Sequence, residues 1–431
     1  MKKLLLSLLA ILLIINTTIS TSIVRADDKD SETIVINVAD QLLQEGALFS
    51  KRDEEKSAPS KAPTRSLTVY QVVANAIRNR EDTVDISSFG IQYTEASNVY
   101  TDVLNSNPDL YYAADNISIS YIPETGILTS FGLAYKDFTA EQIAAFDTKV
   151  NEILSYVGND WSILKTIFYL HDWIVLNTVY DLNAENRFNA YGVVIGGRAV
   201  CQGYSLTLKL LLNRLGIYCD VVTSETINHA WNYIEYDGDN YFVDVTWDDP
   251  TGAIVDYCGH NNLLRSRDGI VSTGHTGTDW LIYGVDGYNV SSSDRFDSAA
   301  WQNYKKTMYF LNNYGIFVDT NHYANVYDLE NETPIKSYLC TNDSWPVFDE
   351  PGYSWNGKFY TAVLANGRIY YNTSNSIYEI NLLTDTTKKV YQLTNSETAL
   401  GYIYGLTKDS DLLYSELILF SSISSYCAIQ P

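Results

Sequence analysis

Apolar residues fall three and four apart over residues 69–80, where Val72, Val73 and Ile77 share one side, and this spacing predicts a helix. A second helix is predicted over 96–104, stopped near Asn107 and Pro108. Residues 117–122 alternate apolar and polar like a half-buried strand, and Glu124-Thr125-Gly126 turns the chain into another. Helical spacing returns over 139–157, with Thr139 at its start and Glu141 in its first turn. Asp160 is the expected cap of the next helix, which carries Ile163, Leu164, Ile167, Phe168, Leu170, His171 and Ile174. A loop rich in Asn and Gly, 181–197, leads to Cys201. Leucines then occupy almost every side of 205–215, the mark of a buried helix, and Gly216 is the residue expected just past its end. A short apolar strand over 217–223 precedes an alternating stretch at 229–236, a turn at 237–240 and a return strand at 241–247.

Beyond residue 318 short apolar pairs alternate with Tyr, Asn and Gly. Asn356-Gly357-Lys358-Phe359-Tyr360 and Asn366-Gly367-Arg368-Ile369-Tyr370 are near-copies ten residues apart, and strand-length segments follow at 377–382 and 389–393. The spacing is that of a propeller blade, but only about two blades of ~40–45 residues fit. A β-rich appendage over 318–431 is therefore expected.

At the other end, Lys2-Lys3, an apolar run over 4–15 and a boundary at Ala26 have the layout of a secretory signal peptide, residues 1–26. The run is shorter than the ~20 apolar residues of a membrane span, so no stable membrane insertion is expected. Residues 27–66 read as a disordered linker, because 51–66 is charged, holds Pro59 and Pro63 and has almost no apolar residue. The plan is completed by a small N-terminal α/β domain at 67–135 and a domain at 136–317 that contains Cys201. The fold class is α+β.

Net charge is −23, and loss of 1–26 removes Lys2, Lys3 and Arg25 but no acid, giving −26. Such a surface repels nucleic-acid phosphates, so nucleic acid is excluded as a partner. Export would place the chain in the medium or on the cell surface. The five cysteines, at 201, 219, 258, 340 and 427, are odd in number and form no Cys-x-x-Cys pair. They make neither a disulfide scaffold nor a cysteine-based metal site, and at least one thiol lacks an intrachain partner. His260 and His275, with Cys258 and Asp268 nearby, show no ligand spacing, and His171 on its apolar helix is expected as a packed core histidine. No metal and no other cofactor is expected.

Cys201 is the candidate for chemistry. A helix start favours a thiolate through its unpaired N–H groups, and Gln202-Gly203 gives a small first turn. His229 would act as base and then as acid, and Asp244 would hold its imidazole. With a two-residue loop at Gly238-Asp239, Asp237 pairs with Asn240, and His229 and Asp244 share a face. Asp248 then lies opposite His229, so a bulge or strong twist must bring Asp244 close, and Asp248 stands as the alternative orienter. The Cys201 backbone N–H is the natural first oxyanion donor, with the Tyr180 hydroxyl as candidate second donor and Asn177 behind it. Gln202, Gly203, Trp231 and Trp247 are assigned to the substrate cleft, core packing being the other fate of the tryptophans.

Three segments resemble bacterial transglutaminase-like domains: Gly197-Arg198-Ala199-Val200-Cys201-Gln202-Gly203-Tyr204-Ser205, His229-Ala230-Trp231-Asn232, and Val243-Asp244-Val245-Thr246-Trp247-Asp248-Asp249-Pro250. The resemblance covers about 168–250, with weaker likeness over 261–280. It implies a papain-like core, a helix against an antiparallel sheet, with Cys201 as nucleophile, His229 as base and Asp244 rather than Asp248 as orienter. It also implies acyl transfer through a Cys thioester on peptide or side-chain amides, with a peptide or protein, cell-wall-associated protein included, as substrate. Hydrolysis is favoured, because water at ~55 M outcompetes an amine unless a dedicated acceptor site exists. A cross-linking transglutaminase and an inactive envelope-binding module are the alternatives.

Overall fold

The computed structural model describes residues 23–24, 32–37, 67–249, 258–282, 292–302, 304–319, 321–346, 354–356, 360–365, 368–382, 384–398, 401–409, 412–419 and 424–429. The rest of the expected signal peptide and linker, and parts of both Asn-Gly repeats, lie outside the described residues. Helix and antiparallel sheet alternate along the chain, an α+β arrangement. The described residues form two compact units, one built from those up to Val103 with Tyr112–Lys136, the other from Leu104–Tyr111 and everything from Asp137 onward.

The first unit holds an antiparallel sheet of five strands: β1 (Ile23–Val24), β2 (Glu32–Asn37), β3 (Thr83–Asp85), β4 (Asn116–Tyr121) and β5 (Leu128–Gly132), in the order β1-β2-β4-β5-β3. Strand β2 corrects the expected linker. Ile34 pairs with Ile119 and Ile36 with Ile117. The run Thr33-Ile34-Val35-Ile36 is β-branched throughout, which favours extended backbone, and the polar composition of 51–66 hid it. Helix α1 (Val69–Arg78) opens with a capping box: Thr68 Oγ1 accepts from Gln71 N at 3.3 Å, and Gln71 Oε1 accepts from Thr68 N at 3.0 Å. It buries Val69, Val73, Ala74, Ala76 and Ile77.

In the second unit, α2 (Ala140–Ser155) is capped by a Thr139–Gln142 box. Helix α3 (Ile163–Asn177) is capped by Ser162, whose Oγ accepts from Lys165 N, rather than by the expected Asp160. The chain leaves α3 through β6 (Val179–Tyr180), which pairs in parallel with β7 (Arg198–Ala199). Between them lies the short helix α4 (Ala190–Val194). Helix α5 (Cys201–Arg214) starts four residues earlier than its leucine pattern predicts, and every residue from Cys201 to Leu212 is buried.

Helix α5 rests on an antiparallel sheet of β8 (Cys219–Ser224), β9 (His229–Tyr236), β10 (Asp239–Val243) and β11 (Leu281–Ile282), ordered β10-β9-β8-β11. Leu206, Val221 and Ala230 pack with Cys201 in one cluster. A second cluster joins Val222, Trp231, Tyr233 and Phe242 to Ile270 and Trp280. Trp280 meets Trp231 and Phe242 edge-on at 4.9 and 5.2 Å, contacts worth about 0.5–1.5 kcal/mol each beyond area burial.

The hairpin between β9 and β10 corrects the expected register by one residue per strand. Its turn is Asp237-Gly238, both at positive φ, and Tyr236 rather than Asp237 is the last paired residue, opposite Asp239. Strand β10 also ends at Val243. Both differences matter at the site.

From Tyr309 the chain is mostly antiparallel strand. Two four-stranded meanders span Tyr309–Leu311 to Thr333–Leu339 and Ala362–Ala365 to Thr386–Gln392, and a three-stranded one spans Gly401–Asp409 to Ser424–Ile429. Among the described residues no helix is long and apolar enough to cross a membrane.

Candidate active site

Strand β9 begins at His229 and β10 ends one residue before Asp244. Val243 pairs with Asn232, so continuing the register would set Asp244 diagonal to His229 on the same face, with no bulge needed. There the chain turns. Asp244 Oδ1 accepts from the backbone N–H groups of Thr246 at 2.9 Å and Trp247 at 3.2 Å. Its Oδ2 lies 2.7 Å from His229 Nε2 and 2.9 Å from His275 Nε2. Four partners thus fill the carboxylate, which is wholly buried.

Because Nε2 of His229 is held by Asp244, Nδ1 is the nitrogen left for the hydrogen bond between His229 and Cys201. Burial works against a charged His229, but Asp244 and Cys201 outweigh it and raise the ring to about 10. Burial likewise works against the Asp244 charge, but His229 and His275 hold the carboxyl well below the usual range. The stability from a raised histidine is complete below its ordinary value of 6.5 and is lost as pH rises through about 10. That from a lowered carboxyl is complete above 3.8 and is lost as pH falls toward its folded value. The stability gap between wild type and His229→Gln is therefore expected to be widest between about pH 4 and 6.5 and to shrink toward pH 10. Urea unfolding across pH measures it, and a gap that widens toward pH 10 would show a neutral ring.

Cys201 is the first residue of α5, and Val200 before it provides no side-chain cap. The first-turn N–H groups of a helix have no intrahelical partner, so the thiol sits at the positive end of the peptide dipoles. It is 8 % exposed. It does not line the adjoining cleft of about 680 Å³, but its neighbours His229 and Tyr180 do. Tyr180 comes near through the parallel β6–β7 pairing, which sets it beside Ala199. Burial, then the Cys201 and Asp244 charges, hold its phenol above the ordinary range, so it stays protonated and able to donate. Asn177 points elsewhere, its amide donating to Trp173 O at 2.7 Å.

The expected cleft residues divide. Trp247 lines the cleft, is 39 % exposed, and stacks on His229 at 4.8 Å. Gly274 lets it lie close, since a Cβ there would stand 2.8 Å from the indole. Trp231 is instead wholly buried, against Trp280. Gln202 is also buried, its amide donating to Asn105 Oδ1 at 2.6 Å, because the second residue of α5 turns away from the face that carries Cys201. Gly203 packs backbone to backbone, where a Cβ would stand 2.5 Å from Arg187 O. Neither lines the cleft. Asp248, the alternative orienter, is committed to His171 and Asn262.

Two residues take places at the site that were not expected from the sequence. His275 completes the Asp244 carboxylate, and its Nδ1 lies 3.1 Å from Ile270 O. Asp249 puts a carboxyl in the cleft wall. Burial raises Asp249 to about 6, although the Tyr204 hydroxyl, donating to it at 2.6 Å, and His171 pull the other way. Cys219, Cys258 and Cys340 are buried free thiols like Cys201.

No protein-family model matches the chain, and no curated protein matches it. Among solved structures, a TGase has a TM-score of 0.23 at 18% identity, over 35% of this chain and 48% of that one. BamB from Moraxella catarrhalis has a TM-score of 0.21 at 12% identity, over 46% of this chain and 53% of that one. The chain thus spans about half the length of either structure. Likenesses at these scores carry no argument about fold or activity here.

Proposed function

We propose that this chain is an exported thiol enzyme that transfers acyl groups from peptide or side-chain amides to water, with a papain-like core. Cys201 is the nucleophile, His229 the base and acid, and Asp244 the residue that orients His229. The observation that carries the reading is the filled Asp244 carboxylate, which fixes His229 by Nε2 and leaves Nδ1 for the thiol. The three sequence segments that resemble transglutaminase-like domains add to it.

In the reaction, Cys201 sulfur attacks the amide carbonyl carbon, and the carbonyl electron pair moves onto oxygen. Donors for that oxygen are the Cys201 N–H and the Tyr180 hydroxyl. On collapse the C–N bond breaks, His229 protonates the leaving nitrogen, and a thioester remains. Water then attacks the thioester while His229 takes its proton, and cleavage of the C–S bond releases the acid and restores the starting pair.

Asp249 favours a second reading. A carboxylate in the cleft wall can hold an acceptor amine as its ammonium; once His229 takes a proton from it, the amine in place of water would attack the thioester and the enzyme would cross-link. Residues 1–26 are read as the export signal; cleavage after Ala26 would remove β1 and keep β2.

The test incubates the purified chain with glutamine-containing proteins and a labelled primary amine. New glutamate side chains or new chain ends, absent with Cys201→Ala, support hydrolysis, since ammonia leaves in either reaction. Incorporated amine turns the reading to cross-linking, and neither product, with an inert Cys201, leaves a non-catalytic binding module.

A further inference from the structure

A second cluster of chemically competent side chains lies on the other side of the Asp244 turn. His171 and Asp172 come from α3, and Cys258 and His260 from the segment that follows the turn. One ligand atom from each lies within 4.8 Å of every other. Asp172 is 2 % exposed and the other three are fully buried.

Their hydrogen bonding does not close on itself. His171 Nδ1 and His260 Nε2 each lie 2.9 Å from Asp172 Oδ1, and Cys258 Sγ lies 3.4 Å from the same oxygen. All three converge on one carboxylate oxygen, which has two lone pairs, and the thiol has Gly259 O at 3.9 Å as its other acceptor. Meanwhile the outer atoms are all anchored. His171 Nε2 lies 3.2 Å from Asp248 Oδ2, and His260 Nδ1 lies 3.1 Å from Tyr304 O. Met308 N donates to Asp172 Oδ2 at 3.3 Å. Carboxylate and carbonyl can only accept, so the outer nitrogens donate to them, while the inner nitrogens converge on Asp172 Oδ1, where a bound metal ion would take the place of their protons.

We infer that His171 Nδ1, Asp172 Oδ1, Cys258 Sγ and His260 Nε2 bind one divalent metal ion of the zinc class. Two imidazoles, a thiolate and a carboxylate form a tetrahedral set for such an ion, and each imidazole already has the outer acceptor that metal-bound histidines use. Charge balances as well, since thiolate and carboxylate together cancel the ion. At zinc bond lengths the ligand atoms stand about 3.3–3.7 Å apart, so the two nitrogens need retreat from Asp172 by only about 0.4 Å. With four protein ligands the site is closed, hence structural rather than catalytic. Its effect reaches the candidate active site through Asp248, whose N–H donates to Asp244 O at 3.3 Å across the turn. The metal would therefore pin the turn that presents Asp244, and it revises the sequence expectation of no metal.

The test strips the full chain of metal with a chelator and titrates it with Co2+ alone. The expected result is one Co2+ per chain, tetrahedral cobalt absorption and a sulfur-to-cobalt charge-transfer band. His260→Ala weakens binding about tenfold or more, Cys258→Ala removes the band, and Cys201→Ala keeps it. No Co2+ uptake overturns the inference, as does a band lost with Cys201→Ala and kept with Cys258→Ala, which would place the ion at His229, Asp244 and His275. Where Cys258→Ala fails to fold, X-ray absorption of the Zn2+-loaded wild type and Cys201→Ala chains decides. One sulfur at about 2.3 Å with N or O ligands at about 2.0–2.2 Å in both supports the site. A shell without sulfur in either overturns it.

Discussion

Cys201→Ala is expected to lower amide turnover by about 10⁴-fold to 10⁶-fold and to leave the fold in place. The size of the loss follows from what the thiol would do. Without it no thioester forms, and His229 has only water to activate, while the helix start and the Tyr180 hydroxyl can still polarise a carbonyl. The stability change should stay within about 1 kcal/mol, because alanine keeps the Cβ packed with Leu206, Val221 and Ala230 and removes a single sulfur. Turnover on the best substrate and urea unfolding are the two measurements. Retained turnover in a folded variant would remove Cys201 from the chemistry.

Changes at Asp244 are expected to strike stability and activity together. Asp244→Ala leaves four donors, three of them buried, without their acceptor: the Nε2 groups of His229 and His275 and the N–H groups of Thr246 and Trp247. Breaking a buried charged pair in this way costs about 3–5 kcal/mol. Asp244→Asn separates the two roles. Its oxygen can still accept from Thr246 and Trp247, but its amide then meets both imidazoles, donor against donor. A loss of about 10³–10⁴-fold in kcat/KM is expected, with less loss of stability than in Asp244→Ala. Equal activity in Asp244→Asn and wild type would mean that His229 needs no carboxylate to orient it.

The three candidate positions stand out in the sequence because each sits at the edge of a strongly patterned element. Cys201 precedes a leucine-rich helix, His229 opens an alternating strand, and Asp244 follows its partner across an Asp-Gly turn. The register between those strands was not legible to the residue. Asp237-Gly238 and Gly238-Asp239 are both plausible two-residue turns, and only the positive φ at Asp237 and Gly238 separates them. That single shift decides whether Asp248 or Thr246 would fall opposite His229. The contact of His275 with Asp244 could not be read, because it spans 31 positions, beyond the helix Arg267–Ser272. Gln202 misled for a related reason. It adjoins Cys201 in the chain, yet successive residues of a helix point about 100° apart, and its amide is spent on Asn105. The His171-Asp172-Cys258-His260 cluster was hidden by the same distance, two of its members being adjacent on a helix that reads as plain core.

The most direct measurement is the rate of iodoacetamide labelling at neutral pH, with each modified cysteine located by mass spectrometry in wild type and His229→Ala. Cys201 is expected to label first, about tenfold or more ahead of Cys219, Cys258 and Cys340, and His229→Ala is expected to remove most of that lead. Labelling of Cys201 at the same slow rate with and without His229 would contradict that expectation.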